Sequence, residues 1–201
     1  MLRGEAAILV APVRMAAARA YGLPAGVELV GAGGWTLGGA LLARYDETAT
    51  LEYHELIVFS GLARRGAAAA MIVSHIYVDS AQSLSGGHAI WGLPKELAEF
   101  EWDWQSGSVA VTQGERPLLR ASLRRRQGLR IPLPLLSPVF GTVGGATVRA
   151  AGRGTLPAAP VLARLDVPEE SPFAALGLGG TRLGVAGSGL DLRFPAARPA
   201  L

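Results

Sequence analysis

A mainly β chain, with an antiparallel sheet closed into a barrel and a few short helices, is the fold class this sequence predicts. Three observations carry it. Twenty-seven glycines and thirteen prolines divide the 201 residues into short apolar segments. Segments of that length bounded by turn residues suit strands better than helices. The segment after Lys95 also alternates apolar with polar residues, the period of a strand with one buried face. The length suits one domain over residues 1–201 with a substantial core, and no linker, low-complexity tract or repeat divides it. Closing the sheet removes its exposed edges, hence the expected barrel.

In chain order, the first strand is expected over 6–11, and the best helix over 14–22, Arg-Met-Ala-Ala-Ala-Arg-Ala-Tyr-Gly. That run is rich in good helix formers and is stopped by Gly22 and Pro24. Strands follow over 27–30, 37–45, 50–59 and 69–78. The segments 97–104 and 108–112 are joined by Gln105-Ser106-Gly107, a tight hairpin connection. Further strands are expected over 117–125, 147–151, 161–165, 183–186 and 190–194. In the strand after Lys95, Ala98, Phe100, Trp102 and Trp104 point one way, and Leu97, Glu99, Glu101 and Asp103 the other. Lys95 would share the acidic side if the ladder ran back unbroken. Pro94 cannot donate to a ladder, so Lys95 is expected on the entry turn instead.

Composition removes several function classes. Half of the residues are hydrophobic and 17% are charged, which excludes intrinsic disorder. A net charge of +3, from nineteen basic and sixteen acidic residues, is too mild for a nucleic-acid partner. The one basic run, Arg124-Arg125-Arg126, reads as a solvated strand end or turn. Without cysteine there is neither a disulfide framework nor a thiolate zinc site. His54, His75 and His88 lack metal-ligand spacing, and no glycine-rich segment has the strand–loop–helix context of a nucleotide fingerprint, so no metal and no cofactor are expected. The longest uncharged stretch, 131–148, holds three prolines and three glycines and cannot be a membrane helix. The apolar run 6–11 is too short for a signal peptide. A cytoplasmic protein without a membrane partner is therefore expected.

Lys95 is the only lysine, set against eighteen arginines. Arginine supplies charge as well as lysine does, but it cannot supply a titratable primary amine. The segment around it, Gly87-His88-Ala89-Ile90-Trp91-Gly92-Leu93-Pro94-Lys95-Glu96-Leu97-Ala98, resembles the active-site segment of acetoacetate decarboxylases. There a Gly-Arg-Glu stretch leads to Pro-Lys-Lys-Leu-Gly, and the first lysine forms a Schiff base. Tyr53-His54-Glu55 is similar to the family's Tyr-x-Glu. Val13-Arg14 with Leu23-Pro24-Ala25-Gly26-Val27-Glu28-Leu29 resembles its N-terminal arginine and the turn that follows. Pro172-Phe173-Ala174-Ala175-Leu176 and Asp191-Leu192-Arg193-Phe194-Pro195 resemble its closing pattern. The chain departs from the family where Glu96 replaces the second lysine and His88-Ala89 the Arg-Glu pair. Another site glutamate is missing from Gly38-Gly39-Ala40-Leu41.

The resemblance implies the acetoacetate-decarboxylase-like β-barrel, a homo-oligomer, and imine chemistry on a small keto acid, with decarboxylation of a β-keto acid as the leading reaction. Aldol-type condensation, dehydration or cleavage, and binding of an apolar metabolite without turnover, remain alternatives. An amine must be neutral to add to a ketone, and roughly 4.6 kcal/mol separates an ordinary lysine from one that is half neutral near pH 7. Desolvation supplies such shifts, and Ile90, Trp91 and Leu93 are the expected apolar neighbours. Glu96 should project to the opposite face. The implied catalytic residues are Lys95 and Glu55, the latter to move protons. The implied substrate-binding residues are Arg14 as a carboxylate clamp, His88 in place of the family arginine, and Trp91 as an apolar wall.

Overall fold

The computed structural model describes residues 1–125 and 130–200. The chain opens with β1 (Leu2–Arg14), helix α1 (Met15–Ala20), the two-residue β2 (Glu28–Leu29), β3 (Trp35–Tyr45), β4 (Tyr53–Arg65) and β5 (Ala68–Val78). Helix α2 (Ala81–Gly86) runs into a π-helical turn (Gly87–Trp91), followed by β6 (Lys95–Leu97), β7 (Glu99–Asp103), β8 (Ser108–Gln113) and β9 (Arg116–Arg125). The order ends with β10 (Ile131–Val143), β11 (Ala146–Asp166), a 3₁₀ turn (Ala174–Leu176), β12 (Gly180–Arg193) and β13 (Arg198–Pro199). The expected mainly β architecture with few short helices is present. Arg126, the last residue of the basic run, lies outside the described residues.

These thirteen strands form one sheet, in the order β10-β5-β4-β3-β1-β12-β11-β9-β8-β7, with β2, β6 and β13 attached at its sides. β10 also pairs with β11 along its whole length, so the hydrogen-bonded path from β10 through β5, β4, β3, β1, β12 and β11 returns to β10. The pairings are antiparallel except β10 with β5 and β5 with β6.

Alternation along the central strands explains the two main cores. Ala7, Leu9, Ala11 and Val13 of β1 join Ala40, Leu42, Leu56 and Val58 on one side of the sheet, under β7 to β9 and Phe173. Ala6, Ala43, Tyr45, Tyr53, Val73 and Ile76 join Val139 on the other. Strands β1, β3 and β4 are thus buried on both faces, which is why their sequences run nearly continuously apolar.

Three features depart from the sequence expectations. No strand was expected over 131–143, where β10 runs through Pro132, Pro134 and Pro138. Thr142, at the same parity, sends its N–H away from β11 to the Gly92 carbonyl at 3.1 Å. The three missing N–H groups therefore fall on the side that β11 does not use, and the β10–β11 ladder loses no bond. The pairs 147–151 with 161–165, and 183–186 with 190–194, are single strands, β11 and β12. Glycines carry the joins: a Cβ on Gly154 would sit 1.9 Å from the Asp191 carbonyl oxygen of the neighbouring strand. Finally, Lys95 opens the three-residue β6, paired in parallel with Ile76 of β5, rather than lying on a turn. The regular register starts anew at β7, which pairs with β8, so Lys95 does not share the face of Glu99 and Glu101.

Candidate active site

Tyr53, Glu55, Ile57 and Phe59 are alternate residues of β4, so all four project to the same face, where they line a cavity of about 260 Å³. That is roughly the space of nine water molecules in the liquid. The same cavity is lined by Lys95, Ser83 of α2 and Tyr45 at the end of β3. Trp91, Leu93, Val73, Ile76 and Val139 are among its apolar walls.

Lys95 is 6% exposed and Glu55 4%. The Lys95 ammonium donates to Glu55 Oε1 at 2.6 Å and to Ser83 Oγ at 2.8 Å. It also lies 5.3 Å from the centroid of the Tyr53 ring, within cation–π range. The second carboxylate oxygen, Glu55 Oε2, accepts from the Tyr45 hydroxyl at 2.9 Å. Burial first, and then the adjacent Glu55 charge, push the Tyr45 and Tyr53 phenols well above the ordinary tyrosine range. Both stay protonated at any working pH, which keeps Tyr45 a hydrogen-bond donor to the carboxylate.

Local sequence explains how the lysine is held. Ser80 caps α2 by accepting from the Ser83 N–H, which fixes the turn carrying the Ser83 hydroxyl. Gly87 lies against the lysine stem, where a Cβ would come within 2.4 Å of Lys95 Cδ. Gly92 ends the π-helical turn in the left-handed region at φ 58°, which glycine adopts without strain. Pro94 and Lys95 then run alongside β5, with the Ile76 N–H donating to the Pro94 carbonyl at 3.2 Å.

The residues singled out in the sequence are distributed as follows. Lys95 and Glu55 meet. Trp91 lines the cavity, its indole N–H held by the Pro195 carbonyl at 2.8 Å. His88 is exposed on the outer side of the turn, with Nε2 2.8 Å from the Lys95 carbonyl oxygen, so it contacts the backbone of the lysine rather than the cavity. Arg14 lies elsewhere: it is exposed and stacks over Trp35 at 4.2 Å from the ring centroid. Of the expected apolar neighbours, Leu93 is buried, whereas Ile90 is 44% exposed. Glu96 is exposed and hydrogen-bonded to Gln113 at 2.8 Å, on the opposite side from the lysine side chain. Ser83 and Tyr45 escaped sequence reasoning. The only local signals were the Ser80-x-x-Ser83 cap spacing and the inward parity of Tyr45 in β3.

Among the described residues no group of three or more His, Asp or Glu side chains is placed to hold a metal ion. Among them, too, no helix is long and apolar enough to cross a membrane.

Comparison with known proteins gives the same family as the sequence motifs. The family model for acetoacetate decarboxylase (ADC) matches residues 1–131. Protein NEOXANTHIN-DEFICIENT 1 of Oryza sativa subsp. japonica is 35% identical over 122 residues, 61% of this chain and 38% of the rice protein. The chain thus spans about two fifths of the length of that relative. Among solved structures, acetoacetate decarboxylase from Legionella pneumophila subsp. pneumophila str. Philadelphia 1 superposes with a TM-score of 0.65 at 17% identity, over 100% of this chain and 86% of that one. The enduracididine biosynthesis enzyme MppR complexed with pyruvate gives 0.63 at 17% identity, over 95% and 88%. At such identity these structures speak to the fold. With the family model covering well over half of the residues, the chain belongs to the acetoacetate decarboxylase family.

Proposed function

We propose that this protein is a Schiff-base-forming enzyme that binds a small carbonyl compound as an imine on Lys95, inside a barrel formed by the strand circuit. The observation that carries this reading is the sole lysine of the chain, buried in an apolar cavity with its amine 2.6 Å from a buried carboxylate. Transfer of one ammonium proton to Glu55 frees the Lys95 lone pair, which attacks the carbonyl carbon. The attacking nitrogen passes one of its protons to the new alkoxide, giving the carbinolamine; the protonated Glu55 then returns its proton to the carbinolamine hydroxyl, water leaves, and the nitrogen lone pair closes the C=N⁺ bond. Ser83 Oγ and Glu55 Oε1 restrain the amine from two directions, and Tyr45 holds the carboxylate by its other oxygen. The iminium is an electron sink, so a bond one carbon away breaks: to CO2 in a decarboxylation, to a carbonyl fragment in a retro-aldol cleavage, or to a proton.

Exchange of carbonyl oxygen with heavy-oxygen water tests the reading, because imine formation and hydrolysis replace the oxygen once per cycle. Over a panel of methyl ketones and keto acids, the wild-type protein should accelerate exchange for at least one member, and Lys95→Arg should not. Equal exchange by both proteins would remove Lys95 from the chemistry.

A further inference from the structure

The cavity that holds Lys95 also limits what can be attached to the carbonyl. Among the described residues that line it, the charged side chains are Lys95 and Glu55, and these two face each other at 2.6 Å. No arginine is among the described lining residues; Arg14 is stacked on Trp35. The polar side chains beyond the Lys95 cluster are few. Thr50 and Gln82 are exposed at the mouth, where Thr50 accepts from the Met1 amine, and Ser137 contributes one hydroxyl. Leu41, Ile57, Phe59, Val73, Ile76 and Val139 supply aliphatic and aromatic wall.

Resting on the imine reading above, we infer that the substrate is an uncharged carbonyl compound with an apolar body, a ketone or aldehyde rather than a keto acid. A carboxylate drawn past the mouth would be stripped of water beside the negative Glu55, and the one cation besides Lys95 among the described lining residues, the Met1 amine, is held at the mouth by Thr50. An alkyl or aryl group there gains about fourfold in binding per buried methylene. Such a substrate has no CO2 to lose. Once Lys95 is an iminium, Glu55 Oε1 is free to take a proton from the carbon next to C=N⁺. The C–H electron pair becomes the C=C bond and the C=N⁺ pair returns to nitrogen, giving an enamine. Reprotonation from solvent reverses both changes, so the balanced outcome is exchange of the α-hydrogen.

The test compares levulinate with methyl propyl ketone, its counterpart bearing a methyl in place of the carboxylate, and with methyl hexyl ketone. Each is reduced onto the protein with borohydride, adducts are mapped to the peptide containing Lys95, and each rate is divided by that of the same carbonyl with a free lysine analogue. The expected order is methyl hexyl ketone, methyl propyl ketone, levulinate, with the last at least about tenfold below the matched ketone. Levulinate trapping as fast as methyl propyl ketone, or faster, overturns the substrate class and leaves the imine standing. If none gives an adduct, the imine reading fails. Calorimetry with the matching unreactive alcohol and hydroxy acid then decides the class: tighter binding of the alcohol upholds it, and equal or tighter binding of the acid, or binding of neither, overturns it.

Discussion

Lys95 Nζ and Glu55 Oε1 are 2.6 Å apart although forty residues separate them in sequence, and both side chains are buried. The pair exists because β4 and β6 flank β5: Glu55 pairs with Val78, and Lys95 with Ile76, on the two edges of that strand. Proton transfer between the two groups needs no intervening water.

Glu55→Gln keeps the shape of the side chain and removes its proton chemistry. Turnover on the best substrate should fall by ~10²-fold or more. Because the partner is a buried ammonium, stability should fall too, by about 3–5 kcal/mol, the usual scale for breaking a buried pair from one side. Adding Lys95→Met should restore part of the stability and none of the activity. Unchanged turnover in Glu55→Gln would make the carboxylate a structural partner only; denaturant titration alongside steady-state rates reads both effects.

Gly87→Ala tests how the lysine is aimed. The new Cβ would meet Lys95 Cδ at 2.4 Å, so the stem must move away from Glu55 and Ser83. Overpacking of this kind costs about 1–3 kcal/mol. The rate of imine trapping should drop by about tenfold, a misplacement effect on near-attack geometry. A trapping rate equal to wild type would show that the Lys95 stem tolerates displacement.

Ser83→Ala and Tyr45→Phe each remove one hydrogen bond from the cluster, to the amine and to the carboxylate respectively. Each should cost about 1.5–3 kcal/mol, the scale for a bond to a charged group. Together with each other, their effects on trapping should not add, because both act through the Lys95–Glu55 pair. A double-mutant cycle in trapping rate measures the coupling, and strict additivity would contradict it.

His75 sets a pH dependence away from the cavity. It packs edge-on to Tyr21 and against Phe173 and Tyr77, and burial lowers its pKa below the ordinary 6.5, with Glu96 opposing and Arg116 assisting. The native state therefore binds this proton less readily than the unfolded chain does. Its neutral form leaves stability intact above ~6.5, and stability declines as pH falls from there through the lowered native value. His75→Phe should flatten that part of the profile. As pH falls across this range, the denaturation midpoint of the wild-type protein should drop relative to that of His75→Phe, and parallel profiles would assign the dependence to other groups.

Much of the site was legible because its chemistry lies in short strings. The lone lysine after Gly-Leu-Pro, and Tyr53-x-Glu55 forty residues before it, single out the pair through their resemblance to the acetoacetate decarboxylase motifs. The opposite outlook of Glu96 follows from strand alternation. What could not be read is what arrives from elsewhere in the fold. Ser83 reaches Lys95 only because α2 folds back over β6, and Val73 and Val139 become walls only through the pairing of β5 with β10. Ile90 sits three residues from Leu93, yet the π-helical turn exposes one and buries the other. Arg14 matched a motif but ends on Trp35, since β1 carries it to the far end of the β1–β3 ladder. The prolines of β10 hid a strand because their tolerance depends on which edge they face, a property of the neighbours rather than of the segment.

Borohydride reduction in the presence of a bound ketone is the most direct measurement of the central claim. The mass gain of one reduced imine should map to the peptide containing Lys95 in the wild-type protein, and should vanish in Lys95→Arg, which keeps the charge and lacks the amine. An adduct of equal extent on Lys95→Arg, or a wild-type adduct confined to the α-amino group, would contradict it.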